Sequence, residues 1–168
     1  WDMIPHTGRQ EFYNEFNDYQ LSVKVPKDYV VWATGDFLNP DEVLQPLIAG
    51  RLRASYTSDT VIHIANFDEM QEHKVTAQNE WNTWQFTANH ITDVCFALSK
   101  NYVWDAASVV VDTNSNRRAS VQAAYNDTAK DFHHYAKWTQ QGLKYFSTQW
   151  PGVPYPFSKM TSFQGYAD

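Results

Sequence analysis

Tyr19, Leu21, Val23 and Val25 alternate with Gln20, Ser22 and Lys24, the period-two pattern of a half-buried strand. Pro26-Lys27-Asp28 follows as a turn, because proline presets φ and aspartate bonds its own backbone. Residues 29–33 resume as a second strand rich in β-branched and aromatic side chains. Asn39-Pro40-Asp41-Glu42 reads as a helix start, with Asn39 as cap and two acids at the positive end of the dipole. Val43, Leu44, Leu47 and Ile48 continue at helical spacing, but Pro46 predicts a short or kinked helix. Residues 61–65 read as a strand, and 67–73 as one helical turn or a loop. Strands are expected over 80–86 and 92–98, with a turn or bulge over 87–90. Residues 108–111 and 118–125 read as a hairpin around the turn formers of 112–117.

One long helix is expected near the end. Thr128-Ala129-Lys130-Asp131 has the form of a capping box with Asp in the place of Glu. Phe132, Tyr135, Ala136, Thr139, Leu143, Phe146 and Trp150 then recur at three- and four-residue steps, the stripe of a packed helix. Pro151-Gly152 stops it. The expected fold is mainly β, with antiparallel sandwich- or saddle-like sheets and one long C-terminal α-helix, α+β overall.

Composition narrows the function classes. With 43% apolar and 19% charged residues, the 168-residue chain can bury a core. A net charge of −6 argues against nucleic acid and against an anionic membrane surface as partners. No apolar run approaches the roughly 18 residues of a membrane span. The single cysteine, Cys95, allows no disulfide within the chain and is expected as a small core residue. Cysteine usage leaves the compartment open, and a secreted or cell-envelope protein is compatible with it.

Candidate chemistry is sparse. His133 and His134 are adjacent, so on a helix they point about 100° apart and cannot share one ion well. No histidine lies four residues from another, and no H-E-x-x-H occurs. The acidic pairs Asp41-Glu42 and Asp68-Glu69 sit where first helical turns are expected, which accounts for them as dipole partners. No nucleophile elbow and no phosphate-cradling glycine loop is present. Asn126-Asp127-Thr128 matches a glycosylation acceptor and a helix cap, and the cap is the preferred reading. Trp81 and Trp84 lie three apart on a strand and so face opposite sides.

Three stretches, in order, carry a resemblance. They are "EFYNEFNDYQLSVKVPKDYVVWATG", "WQFTANHITDVCFALSKNYVW" and "YAKWTQQGLKYFSTQWPGVPYPFSKMTSF". Together they resemble the M1 family of zinc aminopeptidases, where a helix ends in an aromatic and is followed by Gly, a β-branched residue, Pro-Tyr-Pro, Lys and a strand. The resemblance implies that residues 1–100 form the end of an N-terminal β domain. Residues 101–168 would open a thermolysin-like catalytic domain, with an edge or near-edge strand over 159–163. It further implies that Gln164, Gly165, Tyr166 and Ala167 lie beside the substrate cleft, leading into the family's G-x-M-E-N motif. Ala167 stands where that motif has glycine.

No zinc ligand and no catalytic carboxylate of the family falls on a residue of this sequence. The resemblance therefore implies a fragment without peptidase activity of its own. Zinc would be held by a longer parent, and the fragment's partners would be the remainder of its catalytic domain and, in the parent, a peptide substrate. A chain that begins at Trp1 is expected of a processed or cut protein. An apolar patch is then expected on the late helix, where the rest of the domain would pack. Two other readings stay open. One is a self-contained aromatic-rich β module that binds glycan or protein. The other is a scaffold whose parent also lacks the zinc motif.

Overall fold

The computed structural model describes residues 15–165. The chain is mainly β with one long C-terminal helix, an α+β fold. Among the described residues the strands form three sheets.

The first sheet joins β1 (Asn17–Pro26), β5 (Trp81–Ile91) and the two-residue β3 (Asp36–Phe37) in the order β1-β5-β3, antiparallel throughout. The alternation read from Tyr19 to Val25 is that of β1. In β5 Trp84 is fully buried while Trp81 stays 48% exposed, as the three-residue spacing requires. β5 runs through 87–90 without turning back. From Tyr19↔Ala88 to Asn17↔Ile91, β5 advances three residues while β1 advances two, so the irregularity is a bulge. His90 adopts φ 54° there, and its N–H donates to Asp18 Oδ1.

β2 (Val30–Ala33) pairs with β6 (Phe96–Ser99) in a second, two-stranded sheet. The strand expected over 92–98 thus begins later. Asp93 takes the amide of Val94, and Thr34 Oγ1 takes that of Cys95, so side chains hold these two amides while the Cys95 carbonyl accepts the Thr34 amide. Cys95 is exposed, which corrects the expectation of a core thiol. It lies one residue before β6, opposite Thr34, and outside the pairing of Ala33 with Phe96.

Between the sheets, the expected helix is two. α1 (Pro40–Val43) stops before Leu44, and α2 (Pro46–Ser55) restarts with Pro46 in its first turn, where the missing N–H is harmless. Asn39 does not cap α1 with its side chain. Its Nδ2 donates to Thr83 O and Glu42 Oε2 while its Oδ1 accepts from Gln85 N, which staples the helix entrance to β5. The capping box lies elsewhere. Asn66 and Glu69 exchange both bonds at the start of α3 (Phe67–Gln71), and the Asn-x-x-Glu spacing was its signal.

The third sheet has the order β4-β7-β8-β9. β4 (Ile62–Ala65), β7 (Val103–Asp112) and β8 (Arg117–Tyr125) are antiparallel, whereas β9 (Lys159–Phe163) joins β8 in parallel at one edge. β4 comes from before residue 100, so this sheet spans the division expected there. A parallel partner needs a crossover, and the long helix supplies it. The expected capping box at Thr128 does not form. Asn126 Oδ1 already takes the amide and hydroxyl of Thr128 in a local turn. A 3₁₀ segment (Lys130–His134) follows, and α4 begins later (Tyr135–Thr148).

α4 packs on β7 and β8 through Ala136, Gln140, Leu143 and Ser147. Gln140 Nε2 donates to the carbonyls of Asp59 and Ser108, pinning the helix to the sheet. The buried face is therefore only partly the predicted stripe. Ala136 and Leu143 face in, but Tyr135, Phe146 and Trp150 face out, because the small and amide side chains fit closest to the sheet.

One apolar cluster runs from Val23, Trp84 and Phe86 through Trp32 to Trp104, Ala106 and Ala124, so the first and third sheets share a core. Gly35 lies in the connection before β3 with φ 87°, where an added Cβ would meet Thr87 O at 2.2 Å. Both the backbone conformation and the close approach demand glycine. Gly35→Ala is expected to lower stability by about 3 kcal/mol, read as a fall in the urea midpoint without change of slope.

Candidate functional site

The first and third sheets meet where the residue before β9 bonds to β3. Ser158 Oγ donates to Asp36 Oδ1 at 2.5 Å across that seam. The Ser158 carbonyl accepts the Ser120 amide at 2.8 Å, so the same residue is tied into β8. Next in the chain, the Lys159 Nζ lies 5.3 Å from the centre of the Phe86 ring. Tyr155 closes the loop before β9. Its hydroxyl donates to the Lys159 carbonyl at 3.2 Å, and its amide donates to Ser147 Oγ on α4.

Three cavities adjoin Lys159. One of about 480 Å³ lies between residues 34–36, the bulged end of β5 with the loop after it, and the turn 155–158. A second, about 280 Å³, is bounded by Trp32, Phe163 and the exposed Cys95. A third, about 260 Å³, is bounded by Asp36, Tyr56, Arg118 and Ser120. Burial pushes the Lys159 ammonium down to about 8, against the opposing pull of Asp36. Burial, and secondarily the charge of Asp36, raises the Tyr56 phenol to about 12, so it stays a neutral donor.

The residues expected beside a cleft extend from this strand. Gln164 is tied down on three sides: its amide donates to Ala124 O, its carbonyl accepts from Tyr102 Oη, and its Oε1 accepts the Asn126 amide. Gly165 is exposed, with open space where a Cβ would stand. Tyr166 and Ala167 lie outside the described residues. The structure thus brings Gln164 to the end of β9, and uses its side chain to hold the end of β8.

A second cluster surrounds Asp105, a carboxylate buried in the middle of β7. Tyr125 Oη donates to Asp105 Oδ2 at 2.5 Å, and His63 Nδ1 lies 2.6 Å from Oδ1. The His63 side chain is 76% exposed, so a buried acid orients a solvent-facing imidazole. Burial first, then the bond to Asp105, raises the Tyr125 phenol well above its ordinary range. The sequence signal was available: one acid interrupts the apolar run of 103–111. Among the described residues no three His, Cys, Asp or Glu side chains converge to hold a metal ion.

Two predictions follow from these environments. Asp105→Ala strands the buried Tyr125 hydroxyl, and it should destabilise by roughly 3 kcal/mol, whereas Tyr125→Phe should cost about 1 kcal/mol in the same urea titration. For Lys159, the folded-state value lies below the unfolded one. The cost of burying its charge is therefore fully present below pH 8, is relieved as pH rises toward about 10.5, and is then gone. Lys159→Met should stabilise the chain by about 2 kcal/mol at pH 7, and the difference should shrink steadily between pH 8 and 10.5.

Comparisons with protein-family models, with curated proteins and with solved structures found no match.

Proposed function

We propose that this chain is the scaffold portion of an M1-like zinc aminopeptidase, in which it supplies one edge of the substrate cleft and none of the metal ligands. The observation that carries the reading is the unit formed by α4, the proline-rich turn and β9. Its order, helix stop, Pro154-Tyr155-Pro156 and an edge strand beginning at Lys159, is that of the segment that resembles the family. The outer face of α4 supports it. Trp138 is 53% exposed and Trp150 72%, with Tyr145, Phe146 and Val153 beside them in the chain also open to solvent. Large apolar side chains exposed in this number along one helix and the turn after it are covered in most folded proteins, and the rest of a catalytic domain is the occupant this reading assigns.

In this reading zinc belongs to the parent. No cluster of donors suited to it lies among the described residues, and no catalytic step is assigned to them. The contribution of the chain is positional: β9 directs Gln164 and Gly165 toward the cleft, and the anchored Gln164 backbone fixes that direction.

The glycan-binding reading has less support. Lys24 Nζ covers Trp81 at 5.7 Å, and the Tyr145 and Phe146 rings cross at 79° rather than forming a flat platform.

Sequencing the coding region roughly 60 residues beyond Asp168 should reveal H-E-x-x-H followed by a further Glu, since the family sets its zinc motif on the next helix. A reading frame without that motif overturns the proposal. The purified 168-residue chain should not hydrolyse an aminoacyl reporter with or without added zinc, and turnover that depends on zinc would contradict it.

A further inference from the structure

We propose that Lys159 is a carbonyl-capture site, at which the side-chain amine condenses with a small aromatic aldehyde held in the cavity between β3, the end of β5 and the turn 155–158. This goes beyond the aminopeptidase reading and uses none of its chemistry.

The argument begins with what surrounds the nitrogen. Among the described residues no carboxylate forms an ion pair with it, and it lies over the face of Phe86. The ring face attracts the ammonium, but far less than an ion pair would, so it offsets little of the cost of burying the charge. Asp36, the nearest acid in the wall, is already bonded to Ser158. The amine is thus largely buried and without an ion-pair partner among the described residues, and Lys159 lines three cavities. A lysine buried in this way is the type that serves as nucleophile toward carbonyl carbon.

The largest cavity suits one aromatic ring. Its volume of about 480 Å³ lies in the range of small-molecule sites, and Tyr155 and Phe157 provide flat apolar walls. Thr34 and Asn89 also line it and can bond an oxygen substituent. The step is a condensation. The neutral Nζ adds to the carbonyl carbon, a proton passes from nitrogen to the former carbonyl oxygen, and the carbinolamine loses water to leave an imine. No oxidant or reductant is needed.

The charged and titratable groups around these cavities set its pH dependence. They are Asp36 on β3, Tyr56 after α2, Arg118 on β8, Asp93 after β5, Cys95 before β6 and Tyr155 in the turn. Arg118 is paired with Asp59, and Asp36 favours the ammonium. Burial acts against Asp36 and is the larger effect, so the neutral amine is present in useful amount near pH 7.

The test is reductive alkylation of the whole chain with benzaldehyde and cyanoborohydride, the reagent trapping the imine, with each lysine followed by peptide mass mapping. At pH 7 Lys159 should be modified about tenfold faster than the exposed Lys27, Lys74 and Lys100, because a lowered value leaves far more free amine. The advantage should vanish in 8 M urea. Asp36→Asn, which removes the carboxylate that favours the ammonium, should move the half-maximum of the rate profile to lower pH. The proposal is overturned if Lys159 in the folded chain reacts no faster than the three surface lysines between pH 6 and 9. It is equally overturned if urea leaves its advantage intact, or if Asp36→Asn, with its fold verified by circular dichroism, leaves the profile unmoved.

Discussion

The packing of Trp32 against Trp104 and Phe163 is the contact on which the rest of the structure depends. Trp32 is on β2, Trp104 on β7 and Phe163 on β9, so three elements from two sheets meet at one ring. Trp32 and Trp104 cross edge to face at 84° with centroids 5.8 Å apart, and Phe163 lies 5.7 Å from Trp32. Tyr102 stacks on the far side of Phe163 at 4.9 Å and bonds the Gln164 carbonyl. Aromatic groups of this size bury enough surface to outweigh the indole N–H groups of Trp32 and Trp104, which meet no acceptor among the described residues.

That junction decides where β9 lies. A parallel strand at a sheet edge has one ladder and no second neighbour to hold it. Phe163 supplies the missing anchorage from the side of the shared core. With the strand end fixed, Ser158 falls opposite Asp36 and the Lys159 stem is drawn over Phe86. The lysine environment is therefore a consequence of how two sheets pack. The Asp105 cluster is different in kind, since its carboxylate, phenol and imidazole sit within the β4-β7-β8 ladder and are set by strand register alone.

Much of this was legible in the sequence where one periodicity dominated. Alternation from Tyr19 to Val25 identified β1, the spacing of Trp81 and Trp84 gave their opposite faces, and Pro46 separated α1 from α2. What failed had local competitors. Asn126 drew the Thr128 hydroxyl away from a helix cap, and Thr34 drew the Cys95 amide out of a ladder. The helix stripe misleads because hydrophobicity and burial do not coincide along α4. In α4 the groups facing the sheet are Ala136, Gln140, Leu143 and Ser147, only two of them from the apolar stripe, while the large aromatics remain outside. The lysine site was not legible at all. Asp36, Phe86 and Lys159 are far apart in sequence, and no local pattern signals that a sheet junction will unite them.

Native-state hydrogen exchange on Phe163→Ala, compared with the unaltered chain, tests the dependence of β9 on the aromatic junction most directly. The account predicts that amides of 160–164 lose protection by at least tenfold while those of β7 and β8 retain theirs, since the hairpin has its own ladder and its own packing on α4. Unchanged protection across β9, with the substitution present and the fold intact, would show that strand pairing alone holds this edge and would contradict the account.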